Sequence, residues 1–133
     1  MGKISYFPWM TFDECMEEGT TAIAMGELNQ AIEFFKKATE MDPNHFEAYH
    51  SLGMAYMKAE RYPEAVEAGK RAVMINPQDQ FGRVSLSMYY QRNGQIPEAE
   101  AEAAKAKILG WGGKLLPSEP GQKLPMGETP LKE

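Results

Sequence analysis

The two histidines are the first residues to test for metal chemistry. His45 and His50 lie five positions apart, which separates their side chains by about 140° around an α-helix with 3.6 residues per turn. Zinc sites need imidazole or thiolate ligands that converge on one point. The chain has one cysteine, so no cysteine pair can complete such a site. The spacing therefore predicts no metal centre.

The other reactive side chains form no catalytic arrangement. Cys15 has no histidine at a fixed spacing that could activate it, so we interpret it as a small buried apolar residue. A run of carboxylates opens a predicted helix, where negative charge suits the helix dipole: Asp13, Glu14, Glu17 and Glu18. The glycine-rich segment 110–113 follows a predicted helix, whereas a phosphate-binding loop precedes one. We expect no enzyme and no cofactor.

Composition narrows the class of protein further. The chain has 133 residues, enough for one domain, and a formal net charge of −5. An acidic chain is a poor ligand for nucleic acid, and no apolar run approaches the roughly 20 residues that span a bilayer. The first residues lack the pattern of a secretory signal, and a single cysteine excludes an internal disulfide framework. We expect a cytoplasmic protein that neither binds nucleic acid nor inserts into a membrane.

An internal period organises most of the chain. Residues of one kind recur at a step of 34 positions: Ala31, Ala65 and Ala99; Ala38, Ala72 and Ala106; Gly19, Gly53 and Ser87; Pro43 and Pro77. Several independent columns share this step, which is hard to obtain by chance. A period of this length is typical of supersecondary units that stack on one another.

Each period carries the pattern of two amphipathic helices. In the second period, residues 46–59 and 62–75 each place apolar side chains at spacings of three and four. Gly26 and Gly94 stand where a left-handed C-terminal cap is expected. Only a few polar residues separate the helices, so each pair must form an antiparallel hairpin. One hairpin cannot bury its own apolar face, and neighbouring hairpins must therefore stack.

These columns resemble the signature of the tetratricopeptide repeat (TPR) family, which reads Trp-x-x-Leu-Gly-x-x-Tyr, then Ala-x-x-x-Phe, Ala and Pro. The second repeat matches best, through Tyr49, Leu52, Gly53, Tyr56, Ala65, Ala72 and Pro77, with Gly69 in place of the phenylalanine. The first repeat departs at Cys15 and Glu18, and the third has Arg83 at the aromatic position. The resemblance implies an all-α, right-handed α-solenoid of three TPR helix-turn-helix repeats, with a concave groove lined by the first helices.

The period divides the chain into three parts. An aromatic N-terminal arm occupies residues 1–11, and a Pro-rich C-terminal tail, which we expect to be extended or disordered, occupies residues 114–133. Between them, residues 12–113 hold three repeats, 12–45, 46–79 and 80–113. Three repeats are about the minimum for a stable stack. We therefore expect the arm and the tail to cover the ends of the stack or to join it to another subunit.

The predicted groove is rich in methionine. Helix positions opposite the packing stripe form a candidate peptide-binding site of Met16, Thr20, Ile23, His50, Met54, Met57, Lys58, Phe81, Val84, Met88 and Arg92. Methionine is flexible and polarizable, so surfaces rich in it adapt to apolar peptides. The alternative interpretation is that these methionines only fill gaps between helices.

The resemblance also allows a test for one class of ligand. TPR members that bind the C-terminal carboxylates of heat-shock chaperones use Lys, Asn and Arg at fixed groove positions. The corresponding residues here are uncharged and lack an amide: Met16, Thr20, Ser51, Phe81 and Ser85. Capture of two carboxylates needs charged or amide donors. We therefore expect an apolar segment as the ligand, with an acidic residue near Lys58 or Arg92.

Two functions remain open from the sequence. The first is a protein–protein interaction adaptor that binds an apolar peptide segment of a protein partner in the methionine-rich groove. The second is a self-assembling structural scaffold whose arm, tail or outer repeat faces mediate homo-oligomerisation, because contiguous apolar residues left exposed mark contact sites.

Overall fold

The order of the helices follows the repeat. In the computed structural model, which describes residues 9–113, the helices are α1 (Phe12–Ala24), α2 (Leu28–Met41), α3 (Phe46–Lys58), α4 (Tyr62–Ile75), α5 (Gln80–Arg92) and α6 (Ile96–Gly110). Each repeat contributes one pair, and each helix packs on the next along the chain. No strand occurs within the described residues. The all-α repeat solenoid is confirmed, whereas the predictions for residues 1–8 of the arm and for the tail lie outside the described residues.

Local sequence signals set the ends of the helices. The Glu14 N–H donates to Thr11 Oγ1 over 3.1 Å, and the Thr11 N–H donates to Glu14 Oε1 over 2.9 Å, so a capping box starts α1. The second helices α2 and α4 end just before Pro43 and Pro77, because a proline disfavours helical geometry at the residue that precedes it.

The turn inside each repeat contains one left-handed residue. Gly26, Glu60 and Gly94 occupy equivalent positions of the three repeats, and their φ angles are 77°, 62° and 81°. Glycine adopts this conformation without steric cost, whereas for a residue with a Cβ the left-handed backbone costs about 1 kcal/mol of conformational free energy. The predicted glycine caps are therefore confirmed at Gly26 and Gly94. The middle repeat performs the same turn with a strained glutamate.

The core consists of two clusters of buried side chains. The larger cluster runs through all three repeats and includes Ile32, Phe35, Leu52, Val66, Leu86 and Tyr89. The smaller cluster, made of Met10, Cys15, Ala38 and Ala48, joins α1, α2 and α3 with the residue Met10 that precedes α1. Met10 precedes α1, so the last residues before the first helix already pack against the first hairpin.

Three glycines of the first two repeats are covered by aromatic rings. A Cβ built on Gly19 would lie 2.7 Å from Cδ1 of Phe35, which belongs to the same repeat. A Cβ on Gly53 would lie 2.9 Å from Cε2 of Tyr89, which belongs to the next repeat. A Cβ on Gly69 would also lie 2.9 Å from Tyr89, at Cδ2. Tyr89 therefore fills the space above Gly69, where the TPR signature has a phenylalanine.

Polar contacts hold the two helices of the third repeat together. Arg83, at the aromatic position of the signature, forms a 2.9 Å ion pair between its Nη1 and Glu102 Oε1, and its Nε donates to the Pro77 carbonyl over 3.2 Å. The two side chains of the pair are only 10% and 12% exposed. Ser87 Oγ donates to the Ala99 carbonyl over 2.8 Å. Hydrogen bonds thus hold α5 to α6 at positions where the signature has an aromatic residue and a glycine.

Candidate peptide-binding groove

The first helices of the three repeats carry all eleven predicted groove residues. We call the surface that these residues form the groove face: Met16, Thr20 and Ile23 on α1, His50, Met54, Met57 and Lys58 on α3, and Phe81, Val84, Met88 and Arg92 on α5. Helices α3 and α5 also contact each other directly. The parts of the groove face that belong to the second and third repeats therefore lie next to each other.

The methionines of the groove face are only half exposed. Met16, Met54 and Met57 are half-buried and pack against the larger core cluster, as does Ile23. Met88 is half-buried as well. Met16, Met54 and Met57 thus fill space beside the core with part of each side chain, whereas their role in peptide binding stays a prediction. Within residues 9–113 the most exposed methionines, Met25 and Met74, are not among the predicted groove residues.

Two apolar side chains on α5 project from the groove face. Phe81 is 71% exposed and Val84 is 45% exposed. They lie three positions apart and therefore share one side of the helix. An exposed phenylalanine gains free energy when a partner buries it, because its ring leaves water. The third repeat thus presents the most accessible apolar part of the predicted site.

A polar link joins α3 to α5 within the groove face. His50 Nε2 lies 3.1 Å from Ser85 Oγ, and the His50 ring stacks on Phe46 with a centroid distance of 5.5 Å and an interplanar angle of 16°. Beneath this link, Tyr89 is buried, which raises the pKa of its hydroxyl, and the nearby Ser85 offsets part of the rise. The sequence predicted His50 as a groove residue, but a 34-residue pattern contains no signal for its contact with Ser85.

The charged residues of the groove face lie at one end. Lys58 and Arg92 are both exposed and belong to the last turns of α3 and α5. Cations are favourable there because the carboxyl end of a helix carries partial negative charge. Among residues 9–113, neither side chain takes part in a salt bridge. Two cations can therefore pair with a carboxylate from outside the chain.

The α1 part of the groove face contains a shallow depression. Its volume is about 400 Å³, and Met16, Glu17, Thr20 and Thr21 line it. The hydroxyl of Thr20 donates to the Met16 carbonyl over 2.9 Å, so the threonine presents its methyl group as much as its oxygen. The first repeat therefore adds a mixed apolar and acidic surface to the site.

The side chains considered for catalysis occupy other places. Cys15 is fully buried, and this burial, only partly offset by Lys37, raises the pKa of the thiol. A raised pKa keeps the thiol protonated and weakens it as a nucleophile. No group of three or more His, Cys, Asp or Glu within residues 9–113 can hold a metal ion. In that same part of the chain, every helix is too short or too polar to cross a membrane.

The repeat architecture agrees with a comparison to protein families. A family model described as tetratricopeptide repeat matches residues 22–86, from the end of α1 to the middle of α5. Residues 22–86 of the chain therefore belong to the TPR family. TPR arrays typically serve as protein-interaction modules, since the stacked repeats form an extended concave surface. A search of curated protein sequences found no match to this TPR protein.

Solved structures show the same fold. The crystal structure of MamA matches with a TM-score of 0.73 and 22% identity, over 77% of this chain and 60% of that one. The second TPR of Spaghetti (RPAP3), bound to the HSP90 peptide SRMEEVD, matches with a TM-score of 0.70 and 18% identity. The match covers 74% of this chain and 91% of that one. A chain of the CopN–Scc3 complex matches with a TM-score of 0.70 and 19% identity, over 74% of this chain and 58% of that one. This TPR protein thus spans about three fifths of the MamA and CopN–Scc3 chains that it resembles.

Proposed function

We propose that this TPR protein is a protein–protein interaction adaptor whose groove face binds an apolar peptide segment of a partner. The exposed side chains of Phe81 and Val84, next to half-buried methionines, are the observation that carries this proposal. Complete burial of a side chain of that size contributes about 1.5–3 kcal/mol. A partner that covers these two side chains would therefore gain much of its binding free energy from α5.

The methionines favour a ligand of variable shape. Met54 and Met57 on α3 pack with one side on the core and keep the other side accessible. A thioether chain has several rotatable bonds and adapts to different neighbours without a large loss of packing. Such a surface accepts apolar side chains of different sizes, as other methionine-rich binding surfaces do.

The charges favour one orientation of the peptide. Lys58 and Arg92 lie at the carboxyl ends of α3 and α5, whereas Glu47 lies in the first turn of α3 and Glu17 lies near the middle of α1. A peptide with an acidic residue at one end would place that residue against the two cations. Its apolar residues would then extend along the methionines. Electrostatic complementarity of this kind sets the orientation of a partner more than its affinity.

A selection experiment tests the proposal without a known partner. Peptides displayed on phage are selected on the immobilised full chain, and the affinity of a selected synthetic peptide is measured by calorimetry. We expect selected peptides to be rich in Leu, Ile and Phe. Phe81→Ser should weaken binding about tenfold or more, the ratio that corresponds to 1.4 kcal/mol. Met74→Ser is the matched control, because Met74 on α4 is also 71% exposed but lies outside the groove face.

A second variant probes the methionines directly. Met54→Glu combined with Met88→Glu places two carboxylates on the groove face and should abolish binding of an apolar peptide. Circular dichroism and the thermal midpoint establish that both variants are folded. If selected peptides show no apolar bias, and if Phe81→Ser and the double variant leave their affinity unchanged, the groove face is not the binding site.

The outer face of the third repeat favours a second function, a self-assembling scaffold. A depression of about 220 Å³ on this face is lined by Ser87, Gln91, Ile96, Ala99, Glu100 and Ala103. In the second repeat, the residues equivalent to Ser87 and Ala103 are Gly53 and Gly69, and Tyr89 covers both. A stacking face that the described part of the chain leaves open could receive another subunit.

The oligomeric state distinguishes the two functions. For a scaffold, light scattering coupled to size exclusion should show an assembly that Ala103→Arg disperses, because the charge would lie on the open stacking face. Glu100→Ala is the milder control on the same surface. A monomer at every accessible concentration would contradict the scaffold, and it would leave the adaptor function untouched, because the groove face lies on other sides of the helices.

We also propose the cytoplasm as the compartment of this protein. The chain has one cysteine, Cys15, which is buried as a free thiol. A chain without a disulfide framework is typical of reducing compartments. Imaging of a fluorescent fusion in the native host, with a secreted and a cytoplasmic marker as references, tests the location.

A further inference from the structure

A second pocket lies between α3 and α4, on the side of α3 turned away from the groove face. We call it the back pocket; its volume is about 350 Å³, and its lining residues are Tyr49, Leu52, Tyr56, Pro63, Glu64, Glu67, Ala68 and Arg71. These α3 residues lie roughly 130° around the helix from Met54 and its neighbours. Because of this angle, the back pocket is separate from the proposed groove. Its volume is sufficient for a ligand, since pockets of about 300 Å³ and more can hold one.

The other two repeats fill the equivalent position with their own side chains. The residue that stands at Ala68 in the second repeat is Phe34 in the first and Glu102 in the third. Phe34 is half-buried and packs against the cluster that contains Cys15. Glu102 is occupied by its ion pair with Arg83. The back pocket is open because the middle repeat has a methyl group where its neighbours have a ring or a carboxylate.

The floor of the back pocket is apolar and aromatic. Leu52, Tyr56 and Ala68 are buried, and Tyr49 is half-buried. The volume that Phe34 fills in the first repeat is thus available here to a side chain from another molecule. A phenylalanine ring matches this space in size and in chemistry, because aromatic rings pack favourably edge to face against tyrosine.

The charges at the rim are balanced except for one cation. The guanidinium of Arg61 lies 5.0 Å from the Tyr56 ring centroid and also pairs with Glu64 over 3.2 Å. Glu67 pairs with Lys70 over 3.6 Å. The guanidinium of Arg71 lies 5.0 Å from the Tyr49 ring centroid, and no salt bridge among residues 9–113 involves it.

An arginine stacked on a ring keeps its N–H groups at the edge of the guanidinium plane. These donors match a carboxylate in geometry, and the stacking holds them in place. Arg71 therefore offers a fixed anion contact at the rim of an apolar pocket. The geometry points to a partner peptide that inserts a phenylalanine side chain into the back pocket and places an adjacent carboxylate against Arg71.

Blocked dipeptides test this site with defined probes. N-acetyl-Phe-Asp-amide is titrated into the labelled full chain, and the Ala68 methyl and Tyr49 ring signals are followed by NMR. We expect saturable shifts at both residues. N-acetyl-Phe-Asn-amide, which lacks the carboxylate, should bind about fivefold more weakly, the ratio expected for one partly exposed ion pair. Arg71→Gln should remove that difference between the two probes and leave the weaker binding of the ring.

A filled pocket provides the second test. Ala68→Phe places in the middle repeat the residue that the first repeat carries at this position, and it should abolish the shifts at Tyr49. Ala104→Phe, which adds the same ring to an exposed site on α6, is the control and should leave binding unchanged. If Ala68→Phe proves unstable in circular dichroism, the comparison of the two probes on the wild type and on Arg71→Gln still decides the matter.

Four outcomes would overturn the proposal. The first is the absence of saturable shifts at Ala68 up to the solubility limit of the probe. The second is equal affinity of the two probes for the wild type. The third is a change in the Ala68 signal on dilution of the protein alone, which would assign the pocket to a second copy of the chain. The fourth is a nuclear Overhauser contact between Ala68 and residues outside 9–113 without probe, which would assign it to the chain itself. None of these outcomes bears on peptide binding at the groove face.

Discussion

The first and second repeats solve one packing problem in two ways. In both repeats, an aromatic ring packs directly on a glycine of the first helix. A Cβ at the position of the glycine would collide with this ring. Gly19 is covered by Phe35 from its own repeat, whereas Gly53 is covered by Tyr89 from the following repeat. The first repeat is therefore complete in itself at this contact. The second repeat depends on the third.

The cause of the difference is the glycine at position 69. The TPR signature has a phenylalanine there, and Phe35 is that residue in the first repeat. With Gly69, the second repeat has no ring of its own to cover Gly53. Tyr89 of α5 contacts both glycines and is 1% exposed. Contacts inside one repeat are thus replaced by a contact between repeats, and this contact should couple the stability of the two.

Removal of the Tyr89 ring should have the largest effect. We expect Tyr89→Ala to lower the free energy of unfolding by about 3–5 kcal/mol, because it leaves a cavity above Gly53 and Gly69. Urea denaturation measures the loss. Hydrogen exchange should become faster in α3 and α4 as well as in α5, since all three helices meet at this ring.

Two variants sharpen this comparison. Phe35→Ala should cost a similar free energy but accelerate exchange mainly in α1 and α2. Gly69→Phe combined with Tyr89→Ala restores a ring from inside the repeat and should recover part of the loss. If Tyr89→Ala accelerates exchange in α5 alone, the second repeat does not depend on the third at this contact.

The ion pair of the third repeat should come next in size. Glu102→Ala leaves Arg83 buried without its partner and should lower the free energy of unfolding by about 3 kcal/mol. Thermal and urea unfolding measure the change. Glu100→Ala, an exposed neighbour, should stay within about 0.5 kcal/mol.

A double variant isolates the role of charge in the same pair. Replacement of Arg83 and Glu102 by methionines keeps the volume and should bring stability back close to the wild type, because buried ion pairs are often no better than apolar packing. If the double variant is as unstable as Glu102→Ala, apolar packing does not replace the polar contacts of Arg83. Its hydrogen bonds, including the one to the Pro77 carbonyl, would then be what holds α5 and α6 together.

A smaller effect is expected at the turn of the middle repeat. Glu60→Gly relieves a left-handed backbone at a position where the other repeats have glycine, and it should stabilise the protein by about 0.5–1 kcal/mol. The thermal midpoint should rise accordingly. Gly94→Glu, the reverse change in the third repeat, should destabilise by a similar amount. A fall in the midpoint of Glu60→Gly would show that the glutamate side chain stabilises the turn.

The smallest effect concerns the hydroxyl of Tyr89. Burial raises its pKa, so above pH 10 the unfolded chain loses this proton while the folded chain keeps it. The unfolded state then binds fewer protons, and stability falls as pH rises. Phenylalanine has no hydroxyl proton, so Tyr89→Phe should not show this fall in stability. At pH 7 we expect a change within about 1 kcal/mol, because the buried hydroxyl makes no hydrogen bond of good geometry within the described residues.

Urea unfolding at several pH values between about 7 and 11 measures the difference between wild type and Tyr89→Phe. This difference should shift in favour of the phenylalanine variant as the pH passes the ordinary tyrosine pKa. A constant difference across the range would mean that the Tyr89 hydroxyl ionises in the folded protein as readily as in the unfolded chain.

The repeat could be predicted because its signals are local. Alanine columns recur at a fixed step and prolines act over a few residues, so the helices predicted over 46–59 and 62–75 agree with α3 and α4 to within one residue. The role of Tyr89 could not be predicted. The periodic pattern aligns Tyr90 with Tyr56 of the second repeat and Tyr89 with Ala55. Tyr89 compensates for a glycine 20 positions away on another helix, and no period contains that relation.

The candidate site was predictable to a similar degree. Helical spacing places Phe81 and Val84 on the exposed side of α5, and both are exposed. The same spacing could not tell how deep Met54 and Met57 lie, because burial depends on how closely α3 approaches its neighbours. The ion pair of Arg83 was also hidden, since its partner Glu102 lies on a different helix and at a position where the second repeat has an alanine.

The placement of Tyr89 restricts how this array could grow by gene duplication. An additional copy of residues 46–79 inserted after the second repeat would put Ala55, rather than a tyrosine, over the preceding pair of glycines. The original interface would then be left with a void, while the new copy would sit beneath Tyr89. Shared periodicity therefore does not make the repeats interchangeable modules. The second and third repeats form one inheritable unit, and a lengthened array would need that pair copied together.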